Sequence, residues 1–203
     1  MIQLNELVVG YDKPLLQPLS ATFESGNIYG ILGKSGCGKS TLLRTIAGLH
    51  KPISGSINTN GAGHIYMMHQ RYTNFPWLSC VDNILIAERD RTKKKSMREL
   101  AEKSLAEVGL ADYAERFPSE LSGGMQQRVA LARVLFVRPK FLLMDEPLSA
   151  LDDVTRNKMQ QLILNIHRET NNTIVMVTHS INEAEKMCNH IIKLQQEETY
   201  GIT

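Results

Sequence analysis

Gly33-Lys34-Ser35-Gly36-Cys37-Gly38-Lys39-Ser40 is the stretch of the 203-residue sequence on which the reading of the fold turns. It matches G-x-x-x-x-G-K-[ST], a pattern expected by chance on the order of once in a hundred chains of this length. An apolar run at 27–32 precedes it, and residues 40–49 follow with apolar positions at helical spacing, so the loop joins a buried strand to a helix start. That context is what the chemistry requires. Glycines let backbone N–H groups turn inward as an anion nest, and the helix dipole adds positive potential at the same place. Lys39 then reaches the β- and γ-phosphates of a bound nucleotide, and the Ser40 hydroxyl is a Mg²⁺ ligand.

Working outward from the loop, short β-rich runs alternate with helical patterns, which argues an α/β architecture with strands buried under helices. Residues 3–9 and 19–24 read as antiparallel strands, punctuated by Gly10, Lys13-Pro14 and Ser25-Gly26. From 81 to 137 there is no convincing strand. Ile84, Leu85, Leu100, Leu105, Val108 and Leu110 recur at three- and four-residue intervals, the mark of a helical lobe. Ser122-Gly123-Gly124 offers an N-cap for a helix over 125–137, which Arg138-Pro139 stops. Core strands are expected at 141–144 and 173–177, helices at 153–169 and 181–187, and a closing strand at 190–194. The organisation expected is one domain over 1–203, with 1–70 and 139–203 as the α/β core carrying the N-terminal strands and 71–138 as a helical subdomain.

Composition narrows the function classes. At 42% hydrophobic and 22% charged residues the chain sits in the globular range, and a formal net charge of +2 is too small to indicate a nucleic-acid partner. Apolar stretches are strand-sized, far short of the roughly 20 residues that span a bilayer. The first ten residues lack a basic start and a long apolar segment, so the expected location is the cytosol. Cys37, Cys80 and Cys188 form no CxxC pair, which indicates neither a disulfide framework nor a zinc site. The basic cluster Arg89, Arg91, Lys93, Lys94, Lys95 and Arg98 has no interleaved aromatics and is followed by Glu99 and Glu102; it reads as a solvated linker.

A second motif completes the nucleotide chemistry. Phe141-Leu142-Leu143-Met144-Asp145-Glu146 is an apolar strand ending in two carboxylates, at the carboxyl end where ligands bind in a parallel sheet. Beside the phosphate loop, Asp145 becomes the direct or second-sphere Mg²⁺ partner and Glu146 the candidate general base for the attacking water.

Many nucleotide-hydrolysing enzymes share these two motifs. Leu121-Ser122-Gly123-Gly124-Met125 distinguishes among them: it resembles the signature motif LSGGQ of the ABC ATPase family, at a helix start and before the carboxylate strand. The resemblance runs from about residue 4 to 193 and is strongest to ATP-binding subunits of bacterial importers of the nitrate and sulfonate type. It implies a P-loop NTPase of the ABC type, with a RecA-like mixed sheet core, an N-terminal antiparallel β subdomain and an inserted α-helical subdomain. In that pattern Tyr11 matches the aromatic that stacks on adenine, Gln70 the Q-loop glutamine, Ser149-Ala150-Leu151-Asp152 the D-loop, and His179 the switch histidine. The implied nucleotide contacts are Tyr11, Gly33, Lys34, Ser35, Gly36, Cys37, Gly38, Lys39, Ser40 and Thr41, with Ser122, Gly123, Gly124 and Asp152. Glu146, His179 and Gln70 are the implied catalytic set, and Ser40, Gln70 and Asp145 the implied Mg²⁺ set.

The resemblance implies an ATPase whose chain holds half of each active site, the signature of one subunit capping the ATP in the loop of another. Its partners would be a second copy of itself or a paralogous ATPase subunit, and membrane permease subunits with or without a solute-binding protein, placing it peripherally at the cytoplasmic face. The alternative is a soluble ABC ATPase without a permease, an assembly scaffold or ribosome-associated factor; a small-molecule kinase fits the signature, D-loop and histidine poorly. Met125 departs from the commoner glutamine, while Ser122 and the Gly124 N–H, which supply the phosphate contacts, are kept. The sequence ends at Thr203, soon after His179, so regulation through a C-terminal extension is not expected. Phe75-Pro76-Trp77-Leu78 reads either as an anchor for the permease or as core packing of the helical lobe.

Overall fold

The computed structural model describes residues 1–59, 63–69, 74–88 and 97–194. Two compact units result: one of Met1–Met67, Lys140–Glu146 and Asn171–Thr203, the other of Met68–Pro139 and Pro147–Thr170.

The first unit carries both sheets. Strands β1 (Ile2–Val8), β2 (Leu19–Phe23) and β4 (Ser54–Asn58) form an antiparallel sheet in the order β2-β1-β4. β1 pairs Ile2 with Phe23 on one side and Leu4 with Ile57 on the other, and its register shifts on both sides around Glu6, whose φ is 45°. Gly55 answers that bulge. A Cβ there would lie 2.2 Å from the Glu6 carbonyl oxygen, and its φ of 81° is open to glycine at no steric cost.

The second sheet runs β5-β6-β7-β3-β8, from β3 (Ile28–Leu32), β5 (Ile65–Met68), β6 (Phe141–Asp145), β7 (Thr173–Thr178) and β8 (His190–Lys193). β3, β6 and β7 are buried at every residue, as their unbroken apolar runs require of central parallel strands. Both sheets contribute to one core: Ile2, Leu4 and Phe23 join Tyr29, Phe141 and Val175, with Leu42, Leu43 and Ile46 of helix α1 (Lys39–Ile46). Helix α6 (Ile181–Met187) packs on β3.

Register fixes where the loops after these strands emerge. β3 and β7 are parallel with Leu32 opposite Thr178, and β6 and β7 are parallel with Asp145 opposite Val177. Gly33, Glu146 and His179 therefore leave the sheet at the same carboxyl edge.

The second unit is helical: α2 (Cys80–Leu85), α3 (Arg98–Glu107), α4 (Gly123–Val137) and α5 (Asp153–Thr170), with 3-10 turns at Ala111–Tyr113 and Pro118–Glu120. α2, α3 and α4 pack on one another. The Ser79 hydroxyl caps α2 by accepting from Asp82 N–H, and the Arg116 and Ala114 carbonyls take the Cys80 and Val81 N–H groups. α4 begins at Gly123 because Ser122 is its cap, and ends where Arg138 turns left-handed, φ 45°. Arg98 of the basic cluster pairs with Glu102 and Glu115; residues 89–96 lie outside the described segments. Strands β4 and β5 are absent from the sequence reading; β4 is polar and held by pairing with β1, and β5 is only four residues long.

Candidate functional site

In the first unit, the loop after β3 turns through two left-handed glycines, Gly36 (φ 78°) and Gly38 (φ 97°). Gly38 caps α1 without a side chain, so no capping oxygen competes for the N–H groups that a phosphate would take. Lys39 is 5% exposed, and its ammonium donates to the Gly33 carbonyl at 2.9 Å and the Lys34 carbonyl at 2.8 Å. The cation is thus held inside the turn. Thr41 is buried one residue after Ser40, and Ser35 and Lys34 lie on the more open part of the loop.

The Ser40 hydroxyl donates to Asp145 Oδ1 at 2.9 Å, joining residues more than a hundred positions apart. These two hard oxygens at a helix start suit Mg²⁺, which takes one or two protein ligands and completes its shell with phosphate and water. Asp145 is 1% exposed, so its charge is sheltered from solvent.

Glu146 follows with φ 48°, a left-handed conformation that costs a side-chain-bearing residue energy, and its N–H is fixed by the Val177 carbonyl at 3.0 Å. Its Oε2 lies 3.6 Å from His179 Nδ1, ion-pair range when the imidazole is protonated. Tyr11 is 62% exposed and its ring meets His50 at 4.8 Å, with His50 Nε2 bonded to the Gly10 carbonyl at 2.6 Å. An exposed ring braced from one side is a platform for a planar base.

The second unit holds the remaining motifs. Ser122 Oγ accepts from Met125 N–H at 3.3 Å, and the first turn of α4 contains no acidic residue to offset its positive end. Gly123 and Gly124 supply N–H groups there. Asp152 accepts from Thr155 N–H at 3.0 Å at the start of α5; that bond first, and the Thr155 hydroxyl second, hold its carboxyl below the ordinary aspartate range. Gln70 lies outside the described residues.

Residues 16–149 match the ABC transporter family. An aliphatic sulfonates import ATP-binding protein of Agrobacterium fabrum is 42% identical over 93% of this chain and 74% of its own length. A taurine import ATP-binding protein of Roseobacter denitrificans is 40% identical over 90% of this chain and 73% of its own. Among solved structures, a dimeric ATP-binding cassette in a post-hydrolysis state with ADP and Pi superposes with a TM-score of 0.87 at 32% identity, covering 96% of this chain and 94% of that one. The chain belongs to the ABC transporter family.

As an ABC ATPase it hydrolyses ATP, and the phosphate loop, carboxylate strand and histidine lie at one sheet edge of its first unit. Tyr11 proves exposed, and Trp77 is 70% exposed with Phe75 at 5.4 Å, which removes the reading of Trp77 as core packing. Four side chains escaped the sequence reading. His50 braces Tyr11; Asn83 and Arg133 pin residues 74–79 from within the helical unit; Gln127 of α4 bonds to the Ala150 backbone. His50, Arg133 and Gln127 act on residues distant in sequence, and Asn83 on residues four to eight away; no motif signals any of them.

Proposed function

We propose that this ABC ATPase is the motor subunit of a bacterial importer of small anionic solutes, working as a head-to-tail dimer around two ATP molecules at the cytoplasmic face of a permease. The observation that carries the site assignment is the Ser40–Asp145 contact at 2.9 Å, at a sheet edge shared with Glu146 and His179. The anionic class of solute is supported by the sulfonate and taurine importers among the relatives.

When nucleotide enters, the Gly36, Gly38 and Lys39 N–H groups and the Lys39 ammonium bind its β- and γ-phosphates, the lysine leaving its loop carbonyls for stronger charge-assisted bonds. Ser40 and Asp145 would hold a Mg²⁺, which would supply charge neutralisation at the phosphates. Tyr11 stacks on the adenine. Glu146 accepts the proton of the attacking water, and His179 keeps Glu146 and the γ-phosphate in register. Gln70 is the proposed link from metal and water to the helical unit. The open side of the γ-phosphate receives the partner's signature: a Ser122 hydroxyl, Gly123 and Gly124 N–H groups and the α4 dipole, positive potential aimed where charge develops. Asp152 lies at the same subunit junction.

Trp77 supports the permease reading, since an exposed tryptophan beside Phe75 is the composition of an interface anchor. Among the described residues no helix is long and apolar enough to cross a membrane, which fits a subunit held there by its partner. Phosphate release from ATP, measured against Mg²⁺ concentration, tests the assignment. Ser40→Ala raises the Mg²⁺ needed for half-maximal turnover at least tenfold; an unchanged requirement removes Ser40 and Asp145 from the metal site.

A further inference from the structure

The D-loop backbone is gripped from two sides within the helical unit. Gln127, 3% exposed and one turn into α4, uses its Oε1 to accept the Ala150 N–H at 3.1 Å. Arg156 of α5 donates to the Leu148 carbonyl at 3.5 Å and also to the Leu151 carbonyl. Steric fit adds a third constraint: a Cβ on Gly124 would meet the Ala150 carbonyl oxygen at 3.0 Å, so the signature glycine lies directly against the D-loop main chain. The bond from Gln127 is side chain to backbone, so its value lies in the position of Ala150 and not in that residue's identity.

We propose that Gln127 is a positioning residue that locks the D-loop to the signature helix, so that a subunit presents Ser122, Gly124 and Asp152 to its partner's nucleotide as one rigid piece. This rests on the head-to-tail reading. A buried hydrogen bond with a steric stop beside it lowers the cost of ordering the two segments separately when the dimer closes. Gln127 belongs to the helical unit and the phosphate loop to the other.

The test compares Gln127→Met, which keeps the volume and removes the acceptor, with Gln127→Glu, which keeps an acceptor at the same reach. Both are placed in the Glu146→Gln subunit, and Mg·ATP-driven dimerisation is followed by sedimentation velocity. Binding of a fluorescent ATP analogue at nanomolar subunit reports the loop alone. The expected result is analogue affinity within twofold of the parent for both variants, dimerisation weakened at least tenfold in the Met variant, and recovery to within threefold in the Glu variant. In the otherwise wild-type chain the Met variant loses at least tenfold in kcat. A parent that dimerises together with a Met variant that dimerises equally tightly overturns the positioning role alone. A Met variant that also loses analogue binding assigns Gln127 to general stability and overturns it too. A Glu146→Gln parent that stays monomeric at saturating Mg·ATP overturns the head-to-tail reading, and this proposal with it.

Discussion

Both units bury polar side chains, yet the first sets them at a glycine turn and a strand end, and the second in a network that ties α2 and α4 to residues 74–79. Lys39 in the first unit bonds to carbonyls five and six residues away, inside its own motif, and Asp145 takes the Ser40 hydroxyl. In the helical unit Asn83, fully buried, accepts Phe75 N–H at 2.7 Å and donates to the Phe75, Leu78 and Ser79 carbonyls. Arg133 closes that network, reaching the Asn83 carbonyl at 2.7 Å and Asn74 Oδ1 at 3.2 Å, and Asn74 in turn donates to the Gln126 carbonyl at 2.9 Å. In the proposed function, a phosphate and a cation would replace the first set with stronger contacts. The second ties residues 74–79 and α2 to α4, through Arg133 and Asn74 links of 50 and more residues and Asn83 links of four to eight.

If that difference holds, stability and nucleotide affinity separate between the units. The largest effect belongs to Asn83→Ala, which strands the Phe75 N–H and the Leu78 carbonyl and takes an acceptor from Arg133, and costs about 3–4 kcal/mol, on the order of 10 °C in melting temperature. ATP affinity of the folded fraction stays within twofold. A melting temperature within 2 °C of wild type would erase the contrast between the two networks.

Lys39→Ala does the opposite. It removes one fixed cation from the phosphate site, roughly 2–4 kcal/mol of ATP binding by titration calorimetry, with a much smaller change in melting. Unchanged affinity would place the lysine among the purely structural groups. Tyr11→Ala follows with about 1–3 kcal/mol of ATP affinity, the worth of one stacked base; no loss would return Tyr11 to packing against His50. Trp77→Ala is smallest for the isolated subunit, within about 0.5 kcal/mol of wild-type stability because the ring is exposed, while assembly with the permease or transport is lost. A stability loss of the size expected for a core tryptophan, roughly 3–5 kcal/mol, would contradict the anchor role.

Contiguity along the chain explains what the sequence disclosed. The phosphate loop, its strand and helix, and the Asp145-Glu146 strand were legible because every element needed to read them is contiguous. Ser122 was legible as a cap, though it starts α4 two residues earlier than expected, since both signature glycines join the helix. Strand β4 was not legible: Ser54, Gly55 and Ser56 carry no apolar alternation, and only pairing with β1 makes them a strand. Nor did the sequence reveal Gln127 or His50 as partners of Ala150 and Tyr11, because folding, not spacing, brings them together; Asn83 lies only eight residues from Phe75, but no motif marks an asparagine for that role. For Trp77 composition left two readings open, and its exposure excludes core packing.

The left-handed backbone at Glu146 and its 3.6 Å approach to His179 place the central claim on one carboxylate. Single-turnover phosphate release by Glu146→Gln, with ATP binding measured on the same preparation, tests it most directly. The expected result is ATP affinity at least equal to wild type, since a negative charge facing the γ-phosphate is removed, and release slowed by roughly 10²- to 10⁴-fold, the worth of a positioned general base. Release within twofold of wild type at saturating Mg·ATP would contradict it.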